Sequence, residues 1–194
     1  HLGCFTGLPV LSIETPGGQG VWSKDVWVEG STLWLDGMGR FDNIEGVEMA
    51  IRGRGNSTWG YEKKPYAIKF SEKQKVMGMP KHKRWVLLAN WLDRTMLRND
   101  LAFYLAHQTD TWAPHGEPVE LVLNGVHVGN YYLGEQIKID KNRVNIADVG
   151  YDKLSEQTEA AAGAELGYLL ECDQSTDESE IYFKVSDPGK KATF

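Results

Sequence analysis

The chain has 194 residues, 41% of them hydrophobic and 11% aromatic, enough to bury a sizeable core and too apolar for a disordered chain. A formal net charge of −6 argues against a nucleic-acid binder, which carries a basic footprint. No run approaches the ~18 apolar residues of a transmembrane helix. The cysteines Cys4 and Cys172 are too few for a disulfide framework and lack metal-ligand spacing, although Cys4 near the start has the setting of a lipoprotein cysteine without the apolar run before it.

Taken in order, Leu8 to Ile13 reads as a short strand ended by the turn Pro16-Gly17-Gly18. Lys24–Glu29 and Thr32–Asp36 read as paired strands linked by Gly30-Ser31, with Trp22, Trp27 and Trp34 as packing residues. Gly46 to Arg52 resumes strand character, so the first third is expected to be an antiparallel sheet. Pro65 to Phe70 alternates Tyr66, Ile68 and Phe70 with Ala67 and Lys69, the period of a half-buried strand. Ser71 to Arg84 is lysine-rich without clear period, which predicts a mobile connector before a strand at Trp85–Ala89.

Asp93 then caps a helix predicted over Arg94–Gln108, where Met96, Leu97, Leu101, Tyr104 and Leu105 recur at helical spacing. Pro118–Leu123 and Val128–Ile139 are strands joined at Asn124-Gly125, a strong hairpin signal. His107, His115 and His127 have no partner at metal spacing and read as surface or satisfied residues. Asp152–Gly163 reads as a polar, partly helical segment, and Gly167–Glu171 and Ile181–Val185 as further strands.

Ile51 to Phe70, IRGRGNSTWGYEKKPYAIKF, carries the chemistry. Glycines flank Arg54, while Asn56, Ser57 and Thr58 can hydrogen-bond backbone or a bound anion. Arg52, Arg54 and Lys69 could form an anion cradle, since guanidinium forks and backbone N–H groups bind phosphate or carboxylate. They could equally be solvated or paired with nearby carboxylates. Glu135 interrupts an apolar run and is either a counter-charge for Lys69 or a loop arginine, or an exposed edge residue. Arg98, Asn99 and Asp100 form a polar edge on the predicted helix, where Arg98 and Asp93 could satisfy each other.

RGRGNSTW, KKPYAIKF, WVLLANWLDRTMLRNDLAFYLA and VELVLNGVHVGNYYLGEQIKID, in this order, resemble the CotH kinase family, over roughly Leu8 to Asp173. The resemblance implies an α+β fold like the N-terminal lobe of an atypical protein kinase, an antiparallel sheet with one main packed helix. It implies binding of ATP with Mg2+ and phosphoryl transfer to protein side chains, the partners being ATP and a spore-coat or surface protein. Under it, Arg52, Arg54, Lys69 and Glu135 are expected to bind nucleotide. Asp100 and Arg98 lie on the helix whose carboxylate pairs with the strand lysine, Asn56 and Ser57 lie in the phosphate loop, and Glu171 falls in a hinge-like strand at Leu169–Asp173.

The family's metal-binding and catalytic aspartates belong to a C-terminal half without an identified counterpart. Asp140, Asp148 and Asp152 match by residue type only. The chain is therefore expected to be one domain, or the N-terminal part of a larger one: sheet and loop over 8–60, strand, helix and hairpin over 61–140, polar segment and hinge-like strands over 141–194. The alternative is a cell-surface or spore-coat adhesion module without catalysis, its aromatics serving as contact surfaces. Localisation is expected at the cell surface or spore coat, with the cytoplasm as the alternative.

Overall fold

The computed structural model describes residues 2–146, 169, 184–186 and 191–193. Two compact units are present, His1–Ile137 and Lys138–Phe194. In the first, a short helix α1 (Leu2–Thr6) precedes β1 (Val10–Glu14), β2 (Val28–Asp36), β3 (Ile44–Gly53), β4 (Tyr66–Val76), β5 (Met79–Leu88), α2 (Arg98–Ala106), β6 (Gly116–Leu123) and β7 (Val126–Glu135). In the second, β8 (Lys184–Ser186) pairs antiparallel with β9 (Lys191–Thr193), and Ile139 bridges Val144.

The seven strands of the first unit close into a barrel in the order β1-β2-β3-β4-β5-β7-β6. Every neighbouring pair is antiparallel except β1 and β6, whose parallel pairing of Val10 with Glu120 through Ile13 with Leu123 joins the two edges. Closure leaves no edge to aggregate. Alternate residues point inward: Leu11, Ile13, Leu33, Leu35, Met49, Ile51, Ile68, Phe70, Trp85, Leu87, Val119, Leu121, Tyr131 and Leu133 belong to one buried cluster. Fully burying a side chain of this kind contributes about 1.5–3 kcal/mol, so this cluster outweighs any surface ion pair.

The expectation of an α+β fold with a packed helix is overturned. Ser71–Arg84 is the decisive stretch: instead of a mobile connector it continues β4, turns at Met77-Gly78 and returns as β5. Both turn residues have positive φ, 45° and 80°, the combination a tight hairpin with matching twist requires. Two long strands replace a loop, and the sheet gains enough width to close. A closed barrel fills its own interior with strand side chains, so its core needs no helix to cover it.

Accordingly α2 is shorter than predicted, and Leu97, Leu101, Tyr104 and Leu105 are 56–61% exposed. Its link to the barrel includes Phe103, whose ring lies 5.8 Å from that of Tyr132. Asp93 still organises its approach, accepting from the backbone N–H groups of Thr95 at 3.1 Å and Arg98 at 2.8 Å.

Two further readings change. Lys24–Glu29 and Thr32–Asp36 are not a hairpin: Val28–Asp36 is one strand with a register shift where Gly30 takes φ 68°. Trp22 and Trp34 are exposed rather than packed. The Asn124-Gly125 hairpin forms as read, with φ 51° and 76°, and the Asn124 side-chain oxygen accepts from the Thr15 backbone N–H at 2.8 Å. The strands predicted at Gly167–Glu171 and at Ile181–Val185 before Lys184, the segment at Asp152–Gly163, and Asp148 and Asp152 lie outside the described residues, apart from Leu169, which is exposed.

Candidate functional site

The outer face of β3, β4 and β5 gathers the basic residues. Ala50 pairs with Lys69, and Lys69 with Arg84; one step along, Arg52 pairs with Ala67 and Ala67 with Val86. Since opposite residues in an antiparallel pair share a face, Arg52, Lys69 and Arg84 emerge together on the side opposite the core. Ala50, Ala67 and Val86, the small residues between them, are buried although they lie outside the interior cluster. The result is a rigid apolar floor rimmed by cations.

Trp27, in the segment before β2, lies over this floor. The Arg52 guanidinium carbon is 4.6 Å from its ring centroid, that of Arg84 5.0 Å, and the Lys69 ammonium 5.4 Å. An indole attracts a cation by about 0.5–2 kcal/mol depending on desolvation, but it does not neutralise charge. Glu29 on β2 supplies a carboxylate, 3.3 Å from Lys69 Nζ. Arg52 Nε is buried and makes no hydrogen bond among the described residues. A buried donor left unmade costs about 1–3 kcal/mol, and an acceptor with negative charge would remove that cost.

Arg54 is placed differently. It lines a cavity of about 280 Å³ together with Thr58, Tyr61, Lys63, Asp93 and Arg98, closed by apolar residues such as Pro65 and Leu88. Arg52 and Lys69 are absent from that lining, so the three cations of the proposed cradle fall at two places along one face. Burial draws the Arg54 guanidinium below its ordinary range. Lys63 is lowered further, to about 8, by burial that outweighs the opposing charge of Glu120. Its ammonium donates to the carbonyls of Ala89, at 2.8 Å, and Asn130, and lies 4.4 Å from the Tyr131 ring centroid.

Glu135 is buried at the end of β7 and accepts from the backbone N–H of His115 at 3.1 Å, with His115 Nδ1 at 3.2 Å. Lys69 has Glu29 as its ion-pair partner instead. His115 in turn stacks on His107, ring centroids 4.1 Å apart, and His127 contacts Glu120 at 2.8 Å, so the three histidines are satisfied residues as expected. Asp100, in the first turn of α2, lies in a cavity wall with Glu117 and Tyr132 rather than beside Lys69. Arg98 Nε is 3.6 Å from Asp93, the local pairing foreseen for it. Asn56 and Ser57 are exposed in the loop after β3, and Glu171 lies outside the described residues.

Sequence reasoning missed Trp27, Glu29, Lys63 and Arg84. Arg84 was hidden by the connector reading, since only the β4–β5 pairing sets it opposite Lys69. Lys63 sits one residue before Lys64 in an apparently solvated pair, and nothing local marks it as the lysine that turns inward. Trp27 carried no sign beyond its type. Among the described residues no three His, Cys, Asp or Glu gather to hold a metal ion, and none is assigned to magnesium. No described helix is long and apolar enough to cross a membrane.

Comparison with known proteins gives one family. The family model described as CotH kinase protein matches residues 51–193, well over half of the chain and beginning where the Arg/Gly stretch begins. No curated protein matches.

Proposed function

This chain belongs to the CotH kinase family, and from that premise we propose that it is a nucleotide-binding portion of a CotH-type protein kinase, with Arg52, Lys69 and Arg84 holding the phosphates of ATP. The observation that carries this reading is the buried Arg52 Nε, which has no hydrogen-bond partner among the described residues and is set among further cations on one strand face. Phosphoryl transfer depends chiefly on positioning and on stabilising charge that spreads over phosphate oxygens, so a preorganised cationic floor is the protein's main contribution.

ATP, when bound, supplies the phosphoryl group. The chain's own residues hold it. Arg52 offers a fork of donors fixed by the strand and by Trp27, Lys69 a point charge oriented by Glu29, and the buried Ala50, Ala67 and Val86 floor keeps water away from that side of the ligand. An anion arriving there meets groups already desolvated in part, which strengthens each contact. Substrates of the transfer are protein side chains, and the site of action is the cell surface or spore coat, both taken from the family resemblance.

Calorimetric titration of Mg-ATP tests the reading. Wild type is expected to give a saturable heat, and Lys69→Ala to weaken binding by about ten-fold or more, the worth of a charge-assisted contact. Since the Lys69–Glu29 pair is solvent-exposed, that variant keeps its fold, losing at most about 1 kcal/mol. Identical isotherms for both proteins would remove the assignment.

A further inference from the structure

The cavity headed by Arg54 is left unused by the phosphate floor. Its chemistry is one-sided. Arg54 has no side-chain hydrogen bond or ion pair among the described residues, although burial makes its charge costly. Thr58 and Tyr61 carry hydroxyls without partners among the described residues, and Lys63 has a third N–H beyond the two given to Ala89 and Asn130. Two of the side-chain acceptors are engaged: Asp93 takes the Thr95 N–H and hydroxyl and the Arg98 N–H, and the Asn90 side-chain oxygen takes Asn99 Nδ2 at 2.7 Å. Among the described residues of the lining, the donors of Arg54, Thr58, Tyr61 and Lys63 outnumber the open acceptors, and Arg54, Lys63 and Arg98 outnumber the carboxylate of Asp93.

Such a lining selects a small, multiply charged oxyanion. A carboxylate has two oxygens to offer, whereas a phosphate monoester has three, all acceptors, and carries close to two charges at neutral pH. The volume, about 280 Å³, is at the small end of ligand pockets and suits a phosphoryl group on a short stem. The apolar wall of Pro65 and Leu88 suits the methylene of such a stem.

We propose that this cavity binds the phosphoryl group of a phosphorylated side chain, namely phosphoserine in a peptide, so that the protein holds a segment that has already been phosphorylated. The choice of phosphoserine rests on the phosphoryl-transfer reading above; the fit to a phosphate monoester rests on the cavity alone. Arg54 forms the bidentate contact, Tyr61 and Thr58 the neutral ones, and Lys63 fixes the wall from which they project.

The test uses the whole chain and a five-residue peptide carrying one phosphoserine, with the unphosphorylated peptide and inorganic phosphate as separate probes. Calorimetry is expected to show saturable binding of the phosphopeptide, none of its unphosphorylated form, and a loss of at least about ten-fold in Arg54→Gln. Thermal melting checks that the variant is folded, and Tyr61→Phe, which keeps the ring, should weaken the phosphopeptide by a few-fold. Mg-ATP binding should be unchanged in Arg54→Gln. Binding of inorganic phosphate without the phosphopeptide overturns the proposal, as does equal affinity of wild type and Arg54→Gln. Equal weakening of Mg-ATP and phosphopeptide by Arg54→Gln also overturns it, by making the cavity part of the nucleotide site. If Mg-ATP binds to neither protein while the phosphopeptide result holds, the nucleotide reading fails and this one stands.

Discussion

Replacing Lys63 by methionine removes an ammonium group that ties the loop after β3 to the end of β5 and the middle of β7. Two hydrogen bonds from a charged donor, to Ala89 and Asn130, contribute about 1.5–3 kcal/mol each, and the Tyr131 face adds about 0.5–2. Against this stands the cost of burial that lowers the lysine from 10.5 to about 8. For a partly exposed group that cost is discounted to about 2 kcal/mol. Methionine keeps most of the stem and its packing but orphans both carbonyls, so the terms leave a net loss between about 1.5 and 6 kcal/mol, with about 2–4 as the central range. For a unit of this size the melting temperature falls by about 6–12 °C, measurable by calorimetry or circular dichroism at pH 7.

The pH dependence has a definite sign. Lys63 releases its proton near pH 8 when folded and near 10.5 when unfolded, so between these values the unfolded chain binds more protons and stability rises with pH. The penalty is fully present below pH 8 and fades above it. The gap in melting temperature between wild type and Lys63→Met should therefore widen from pH 7 to pH 10. A variant melting within 2 °C of wild type at pH 7, with a roughly constant gap, would refute the reasoning.

Other substitutions probe other joints. Trp85→Ala empties a fully buried position of the barrel and should cost about 3–5 kcal/mol, seen as a large drop in the urea midpoint. Asn124→Ala removes the acceptor of the Thr15 N–H and a residue suited to φ 51°; a loss of about 1–3 kcal/mol in chemical denaturation is expected, and Asn124→Asp should recover part of it. Gly53→Ala puts a methyl into the Trp59 ring, and should displace Trp59 and change its fluorescence with a loss of about 1–3 kcal/mol. Asp93 is held below the usual carboxylate range mainly by the Arg98 N–H and the Thr95 hydroxyl, so its support for the start of α2 is lost as pH falls through that lowered value; amide exchange at Arg98 should quicken there, and in Asp93→Ala at neutral pH.

Much of the barrel was legible because its inner faces alternate. Tyr66, Ile68 and Phe70 gave β4 its start, and Asn124-Gly125 gave the last hairpin with its backbone signs. What the period could not show was closure, which depends on the parallel pairing of β1 with β6, a contact more than a hundred residues apart in sequence. Ser71–Arg84 failed for a different reason: its exposed positions carry Lys73, Lys75, Lys81 and Lys83, and charge on the wet face masked the strand that Val76, Met79 and Trp85 hold from within. On α2 the error ran the other way. Helical spacing of Leu97, Leu101 and Leu105 predicts an apolar stripe, but not that the barrel already buries its core without it.

The site divides similarly. Arg52 and Lys69 stand out by residue type in a patterned stretch, and alternation alone put Lys69 away from the core. Convergence was not legible, because Trp27 and Arg84 join these residues only through strand pairing, and Arg54, two residues from Arg52, faces a different cavity. Glu135 stands out as a carboxylate in an apolar run, but it is buried and its partners include His115, which no spacing rule connects to it.

Equilibrium binding of Mg-ATP by Arg52→Gln, set beside wild type, bears most directly on the nucleotide assignment. Glutamine keeps an amide donor and much of the length but loses the fork whose Nε is buried without a hydrogen-bond partner among the described residues. The account predicts affinity reduced by about ten-fold or more with the melting temperature unlowered, since a costly buried donor has also gone. Unchanged affinity in a folded Arg52→Gln protein would contradict it.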